Sequence, residues 1–484
     1  MNINGSSTTG KGIYIADTQN ITASNSTVSI NGTSNTSSGI DQTGTINASG
    51  TSGSNLTINA VSTSNAALNL TGSNNFSATD STVTITGNST SDKGIYIAGT
   101  QNITASNSTV TINGTSNTSS GIDQTGIINA TTSTSSNLTI NAVSTSNTAL
   151  NLKGNNTFAS TNSTIKITGN STSGKGIYIA GTHNVTATIS NISIKGTSDN
   201  STGIDHAGTI NANIASNANF TVTGISNSSL GYFFDNGKYV QNTNTSYTGS
   251  INVIGNSTSN YGVNIDGSGN AFTITKGNAS ITANSINSYA LTNFGSITAN
   301  LASASILTVN AYSDTNTAFF ASSSGIIVNS CTTMNGTMSL NAYSNSAVAV
   351  ILSTKNGLTV SNGTLNILGN GNVSNDVSGV LIKGSLSTTV ASTGTLNVKG
   401  ASSTGIGLSF AGTATVNLTG PSVFEGVSNS SIGVNVVYNN NYLQVNSGNI
   451  TIKGTSTSGA GFSITSGNTL STNIAANATL TIIG

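Results

Sequence analysis

The chain has 484 residues, of which only 5% are charged, and its formal net charge is +0. Lysine is its only basic residue type besides two histidines, so the composition indicates neither a nucleic acid nor an anionic membrane as a partner. Because 35% of the residues are still hydrophobic and recur at regular places, the composition also argues against a disordered tract.

The N-terminal residues MNINGSSTTG contain neither a basic segment nor an apolar segment, so they do not read as a signal peptide. No apolar run reaches the roughly 18 residues that a membrane-spanning helix needs, and we expect no membrane insertion. Cys331 is the single cysteine, which excludes a disulfide within the chain.

An internal repeat organises the first part of the chain. The segment KGIYIA occurs at Lys11–Ala16, Lys93–Ala98 and Lys175–Ala180, with a spacing of 82 residues. A finer period of 27 or 28 residues appears in one apolar column: Ile13, Ile40, Leu68, Ile95, Ile122, Leu150, Ile177 and Ile204. The column continues less regularly through Tyr232, Val263, Leu291, Phe319, Val348, Val380, Ile406, Val434 and Phe462.

Each period contains three short runs in which apolar and polar residues alternate. In the second long repeat they read IYIA, NITA and TVTING, bounded by Gly, Asn and Ser. Three strands per period, repeated without helical patterns, predict an all-β, right-handed parallel β-helix of about 17 turns with about 28 residues each.

We predict one continuous β-helix over 1–484, with near-regular long repeats at 1–226 and degenerate turns at 227–484. The sequence begins at Asn2-Ile3-Asn4-Gly5, which aligns with the middle of a third strand, and it stops within another third strand. Since a solenoid needs capped ends, we expect an internal piece of a longer protein.

The carboxylates and histidines are the candidates for catalytic residues in this sequence. Asp41, Asp123 and Asp205 recur 82 residues apart, too far to share one bond or one metal, and we expect solvated carboxylates. His183 and His206 stand where the other long repeats carry glutamine, which is atypical of a ligand or a base. The sequence therefore predicts no enzyme, no catalytic or metal-binding residues and no cofactor.

Strand alternation raises a question about the residue after each of these aspartates. Gln42, Gln124 and His206 should face inward, which costs free energy unless they are hydrogen-bonded. We expect the strand to be locally irregular there.

Two surface features are candidates for partner binding. Tyr14, Tyr96 and Tyr178 should project outward, flanked by lysines and interleaved with Asp and Asn, although strand propensity alone also explains tyrosine there. The long step between Tyr232 and Val263 predicts an extruded aromatic loop, and loops on a rigid scaffold often carry recognition. Its aromatic residues are Phe233, Phe234, Tyr239 and Tyr247.

The phrases NITASNSTVTINGT and STVTITGNSTS, in a chain rich in Ser, Thr and Asn, resemble the passenger regions of bacterial type V secreted adhesins. These are autotransporter or filamentous-haemagglutinin-like proteins. The resemblance covers the whole chain and lies in its composition and repeated phrases, without a motif that defines the family. The secretion segment and membrane barrel of the family are not in this sequence. It implies a right-handed β-helix displayed on, or released from, a Gram-negative outer membrane.

The expected function is therefore attachment, autoaggregation or biofilm formation at the bacterial surface. The expected partners are surface glycans or proteins, including other copies of the chain. A structural spacer that holds a separate tip domain away from the cell is the first alternative. A polysaccharide-processing β-helix enzyme or a tailspike-like protein is the second.

Overall fold

The computed structural model describes residues 1–241, 248–322, 326–328, 336–353, 357–372, 378–383, 387–411, 415–418, 420–437, 441–445, 448–465, 470–476 and 478–484. They divide into two compact units. Unit 1 is Met1–Tyr232 with Ser246–Ile251, and unit 2 is Phe233–Thr245 with Asn252–Gly484. Each is a parallel β-solenoid with about 28 residues and three strands per turn, as the sequence predicts. A single continuous β-helix over 1–484 stays a prediction.

Unit 1 forms three sheets, one from each strand of the turn. Sheet 1 contains β2 (Ile13–Ile15), β5 (Ile40–Gln42), β8 (Leu68–Leu70), β11 (Ile95–Ile97), β14 (Ile122–Gln124), β17 (Leu150–Leu152), β20 (Ile177–Ile179) and β23 (Ile204–His206). Sheet 2 contains β3 (Gln19–Ser24), β6 (Ile46–Thr51), β9 (Asn74–Thr79), β12 (Thr100–Ser106), β15 (Ile127–Ser133), β18 (Asn156–Thr161), β21 (Thr182–Thr188) and β24 (Thr209–Ile214). Sheet 3 contains β1 (Asn2–Ser7), β4 (Thr27–Ser34), β7 (Asn55–Ser62), β10 (Thr82–Ser89), β13 (Thr109–Ser116), β16 (Asn137–Ser144), β19 (Thr164–Ser171), β22 (Asn191–Ser198) and β25 (Asn219–Ser226).

Unit 2 has the same three-strand turn, while β26 (Tyr232–Asp235) and β28 (Ser250–Ser257) contribute residues to both units. Its sheet 1 contains β29 (Val263–Asp266), β32 (Leu291–Asn293), β35 (Phe319–Ala321), β38 (Val350–Leu352), β41 (Ser378–Ile382), β44 (Ile406–Phe410), β47 (Val434–Val436) and β50 (Phe462–Ile464). Its sheet 2 contains β27 (Lys238–Gln241), β30 (Ala271–Ile274), β33 (Ile297–Leu301), β36 (Ile326–Val328), β39 (Gly357–Val360), β42 (Ser387–Val390), β45 (Thr415–Leu418), β48 (Asn441–Val445) and β51 (Leu470–Ile474). Its sheet 3 contains β31 (Asn278–Ser285), β34 (Ile306–Ser313), β37 (Thr337–Ser344), β40 (Gly363–Gly371), β43 (Gly394–Ser402), β46 (Ser422–Ser428), β49 (Gly448–Ser456) and β52 (Ala478–Ile483).

The apolar column predicted from the sequence forms the core beneath sheet 1 of unit 1. Ile13 pairs with Ile40, and Ile40 pairs with Leu68 on the following turn. The side chains of Ile40 and Leu68 are fully buried, as is Ile95 one turn further on. Because each turn covers the apolar face of its neighbours, stacking completes a core that no single turn could bury.

Two column assignments in unit 2 are wrong. Val380 pairs with Leu408, which in turn pairs with Val434, so Leu408 and not Ile406 belongs to the column. Likewise Phe319 pairs with Val350 rather than Val348. A shift by two residues leaves the same side chains facing inward, so alternation alone cannot detect it.

The corner between sheets 2 and 3 needs left-handed backbone conformations, as the many asparagines predict. Asn25, Asn107 and Asn162 have φ values of 47°, 48° and 49° there, and Asp80 occupies the same position. Asparagine and aspartate tolerate this region better than most residues because their short side chains form local hydrogen bonds.

Small residues occur in matched pairs seven positions apart, with one member in a sheet 3 strand and the other in the corner that leads to sheet 1. Where the third strand carries Gly114, the corner carries Gly121, and where it carries Ala142 the corner carries Ala149. A Cβ atom on Gly114 would lie 2.2 Å from the carbonyl oxygen of Gly121. The other pairs in unit 1 follow the same rule: Gly5/Gly12, Gly32/Gly39, Ala60/Ala67, Gly87/Gly94, Gly169/Gly176, Gly196/Gly203 and Gly224/Gly231.

We expect the single substitution Gly114→Ala to destabilise unit 1 by about 2 kcal/mol, because a methyl group would be forced against backbone. The double substitution Gly114→Ala/Gly121→Ala should recover at least about half of that loss, since the Ala142/Ala149 turn accommodates both methyl groups together. Urea denaturation of the four members of this double-mutant cycle measures the coupling. Additive losses would show that the pairing has no energetic basis.

Candidate functional site

The tyrosines predicted to project from sheet 1 each lie beside a lysine and an aspartate. Strand pairing places Tyr14 opposite Asp41 on the next turn, and the same register recurs in the other two long repeats. We call these three groups the Lys–Tyr–Asp clusters: Lys11/Tyr14/Asp41, Lys93/Tyr96/Asp123 and Lys175/Tyr178/Asp205.

In the first cluster the lysine contacts both partners. The Nζ atom of Lys11 forms an ion pair with Asp41 and lies 3.8 Å from the ring centroid of Tyr14. The hydrogen bond to Asp41 raises the pKa of Lys11 above its ordinary value. Asp41 also accepts a hydrogen bond of 2.7 Å from the side-chain amide of Asn69. The tyrosine, 55% exposed, is thus part of a charge-neutral surface cluster.

The second and third clusters repeat this arrangement with small variations. Asp123 forms ion pairs of 3.1 Å with Lys153 and 3.8 Å with Lys93. Asp205 forms an ion pair with Lys175. The lysine nitrogens lie 4.9 and 5.1 Å from the ring centroids of their tyrosines, Tyr96 and Tyr178. Within these clusters the lysines neutralise the carboxylates.

The expectation that the three aspartates are solvated is wrong. Asp41, Asp123 and Asp205 are only 6%, 8% and 4% exposed, because the neighbouring lysine and tyrosine cover them. A buried carboxylate is stable when it is paired and hydrogen-bonded, which the lysines provide. In the described part of the chain, no group of three or more His, Cys, Asp or Glu residues is placed to hold a metal ion.

The residues after these aspartates do face inward, and the expected local irregularity of the strand is wrong. Gln42 is fully buried, and its Oε1 atom accepts a hydrogen bond of 3.1 Å from Asn74 on the sheet 2 strand of the next turn. The same Asn74 amide donates at 2.8 Å to Gln101, and its Oδ1 atom accepts at 2.7 Å from the backbone N–H of Ile46. Hydrogen bonding inside the solenoid therefore offsets the free-energy cost of burying these polar side chains.

A second internal network repeats the first one with a histidine in place of a glutamine. Asn156 and Gln124 exchange two hydrogen bonds, of 3.0 and 3.1 Å. Asn156 also contacts the Nδ1 atom of His183 at 3.1 Å, while Nε2 of His183 lies 2.8 Å from the carbonyl oxygen of Ala180. This geometry fits a neutral imidazole that accepts from the amide at Nδ1 and donates to the carbonyl from Nε2.

His206 occupies the interior of the following turn and is fully buried. Its Nδ1 atom lies 2.9 Å from the hydroxyl group of Tyr232. Burial lowers the pKa of His206 to about 3, and burial likewise lowers the pKa of His183 to about 4. Both histidines are therefore neutral structural groups near neutral pH.

The predicted aromatic loop is not present at the residues that the structure describes. Phe234 lies in β26 and Tyr239 in β27, and their side chains are 0% and 2% exposed. Both rings contact Phe272, with centroid distances of 5.6 and 5.4 Å, so they belong to the core of unit 2. Only Phe233 is partly exposed, and Tyr247 lies outside the described residues. Alternation within these short strands, rather than loop length, decides where the rings point.

The buried asparagines Asn74 and Asn156 were not predicted from the sequence. Strand alternation could have predicted that they face inward, because each precedes an outward residue and then an inward phenylalanine in sheet 2. A surface cluster of four aromatic residues in unit 2 was not predicted either: Tyr261, Tyr289, Phe294 and Phe320.

Comparison with known protein families finds no family model that matches this chain, and no curated protein matches it in sequence. Within the described residues, the structure has no helix of the length and apolar character needed to cross a bilayer.

Proposed function

We propose that this chain is the passenger of an exported bacterial adhesin, located at the cell surface or released from it. It would mediate attachment, autoaggregation or biofilm formation through contacts with surface glycans, with proteins or with other copies of itself. The observation that carries the proposal is the in-register stacking of the turns, which aligns equivalent side chains into rows on the outer sheet faces.

One such row consists of asparagine side chains that form hydrogen bonds from turn to turn. On sheet 2 of unit 1, side-chain amides link Asn20, Asn47, Asn75, Asn102 and Asn129 by hydrogen bonds of 2.7 to 3.1 Å. Such a row repeats one uncharged donor and acceptor pattern on successive turns. Repetition favours binding through many weak contacts, because each added contact on the same partner acts at a high effective concentration.

A spacer is the second candidate, and the near-identity of the Lys–Tyr–Asp clusters favours it. The clusters recur every 82 residues with similar contacts, which is what duplication of a structural element produces without selection for a ligand. A polysaccharide-processing enzyme has no such support, since the three clustered carboxylates are each paired with lysine rather than with another carboxylate.

A bead-adhesion experiment separates the candidates. Fluorescent beads coated with the full 484-residue chain should bind bacterial or host cells, or one another, well above beads coated with a neutral globular protein. Absence of binding, under conditions in which the same beads carrying a known adhesin attach, would contradict the adhesin and favour the spacer. Cleavage of any member of a polysaccharide panel would instead support the enzyme.

A further inference from the structure

The turn between β26 and β27 in unit 2 contains an Asn–Gly step, Asn236–Gly237. Asn236 is exposed and adopts a left-handed backbone conformation with a φ of 59°. In an Asn–Gly step the next backbone nitrogen can attack the side-chain amide easily, because glycine has no side chain to obstruct the approach. The attack closes a cyclic succinimide, and hydrolysis of that ring leaves a carboxyl group in place of the amide.

Hydrogen bonds orient the side-chain amide of Asn236 for this reaction. Its Oδ1 atom accepts a hydrogen bond of 3.0 Å from the backbone N–H of Gly269 on the next turn. Negative charge develops on this oxygen when a nucleophile attacks Cγ, so the Gly269 donor stabilises the transition state. The amide nitrogen, which leaves in the reaction, donates a hydrogen bond of 3.2 Å to the carboxylate of Asp235.

The attacking atom is the backbone nitrogen of Gly237. Gly237 is buried, and within the described part of the chain its N–H makes no hydrogen bond. A buried N–H group without a partner costs free energy. The succinimide nitrogen carries no hydrogen, so ring closure removes this cost and favours the cyclic product.

An Asn–Gly step inside a strand is protected by its sheet. Asn113–Gly114 lies in β13, where Gly114 pairs with a residue on each neighbouring strand. The sheet hydrogen bonds therefore hold the glycine N–H. The Oδ1 atom of Asn113 also accepts a hydrogen bond of 3.0 Å from an asparagine on the next turn, which fixes its side chain in a row. Asn31–Gly32 lies in β4 in the same way.

We propose that Asn236 is a site of spontaneous deamidation in the folded protein. The Gly237 nitrogen loses its proton to hydroxide and bonds to Cγ of Asn236, while an electron pair of the C=O bond moves onto Oδ1. When that pair returns, the bond from Cγ to the amide nitrogen breaks, and the nitrogen takes a proton from water and leaves as ammonia. Water then opens the succinimide at either carbonyl, which gives aspartate or isoaspartate at position 236.

Both products disturb this part of unit 2. The new carboxylate replaces the amide that donates to Asp235, so like charges face each other in place of a hydrogen bond. Isoaspartate also adds a methylene group to the backbone between Phe234 and Tyr239, whose buried rings lie 6.1 Å apart. The modification therefore loosens β26 and β27 as the protein ages.

The test compares the folded full chain with the same chain in urea, both kept in a mildly alkaline buffer and analysed by peptide mapping with mass spectrometry. In urea, Asn31, Asn113 and Asn236 should deamidate at similar rates, since each precedes a glycine. In the folded chain, Asn236 should deamidate at least about tenfold faster than the other two. Its rate should rise with pH, because hydroxide removes the proton from the attacking nitrogen.

A variant tests the consequence of the reaction. Asn236→Asp carries the product charge from the start, and we expect hydrogen exchange of the β27 amides to be faster in it than in the wild type. The matched control is Asn236→Ser, which also lacks the amide but adds no charge, and which should exchange more slowly than Asn236→Asp. Equal exchange in the two variants would overturn the proposed repulsion from Asp235.

The product mixture and the rates decide the proposal itself. Isoaspartate should accompany aspartate at position 236, because a succinimide opens at both carbonyls. Aspartate alone would show direct hydrolysis without attack by Gly237, and it would overturn the proposal. Folded-state rates that are equal at Asn31, Asn113 and Asn236, or lowest at Asn236, would overturn it as well.

Discussion

Replacing Asn74 with alanine should destabilise unit 1 by about 4 kcal/mol, because three buried polar groups would lose their partner at once. These groups are the amides of Gln42 and Gln101 and the backbone N–H of Ile46, which contact Asn74 at 3.1, 2.8 and 2.7 Å. Asn74 itself is fully buried, so water cannot replace it without entering the core.

The neighbouring residue provides a matched control. Asn75 also bonds to two amides, at 2.7 Å to Asn47 and 2.8 Å to Asn102, but it points outward and is exposed. Asn75→Ala should cost no more than about 1 kcal/mol, because water satisfies the groups it leaves. The two substitutions remove the same side chain from consecutive positions of β9, so burial is the main difference between them.

Urea denaturation followed by circular dichroism measures both losses, provided that the slope of free energy against urea is unchanged. Equal losses for Asn74→Ala and Asn75→Ala would show that the internal network contributes nothing beyond a surface amide row. Asn74→Leu is informative as well, since it fills the space but still leaves the glutamines unpaired. We expect it to remain destabilising relative to the wild type.

The repeat and the strands could be predicted because they depend on local alternation and on spacing. Ile13, Ile40 and Leu68 were placed in one column from positions alone, and the strand pairing confirms it. The inward direction of Gln42 followed from the same alternation, yet the expectation of an irregular strand came from the cost of burying an amide. That cost depends on Asn74, which lies 32 residues further along the chain.

Other features depend on three-dimensional neighbours that alternation does not encode. The burial of Asp41 results from Lys11 and Tyr14, which reach it from the preceding turn. The assignment of Leu408 rather than Ile406 depends on the length of a corner. The surface cluster of Tyr261, Tyr289, Phe294 and Phe320 combines corner residues with a strand residue from three turns, so no single stretch of the sequence displays it.

Acidification should weaken unit 1 through its two buried histidines. Burial lowers the folded-state pKa of His183 to about 4 and that of His206 to about 3, below the ordinary value of 6.5. Below pH 6.5 the unfolded chain binds protons that the folded chain cannot, so stability falls as the pH falls toward these folded values. From pH 7 to pH 4 each histidine should remove about 3 kcal/mol.

The long repeats supply the control for this prediction. Gln101 stands at the position of His183, and Gln42 and Gln124 stand at the position of His206. The double variant His183→Gln/His206→Gln should therefore fold and should lose much less stability than the wild type between pH 7 and pH 4. All other residues are the same in both proteins, so the difference between the two pH profiles isolates the histidines.

Urea denaturation at several pH values measures how much stability is lost on acidification. Hydrogen exchange of the backbone amides in β20 to β24 shows whether the loss occurs around the two histidines. We expect exchange in these strands of the wild type to accelerate on acidification, while the double variant changes less there. Parallel pH profiles for the two proteins would contradict the lowered pKa values. Protons would then have access to the imidazoles in the folded state, and the internal network would not be closed to water.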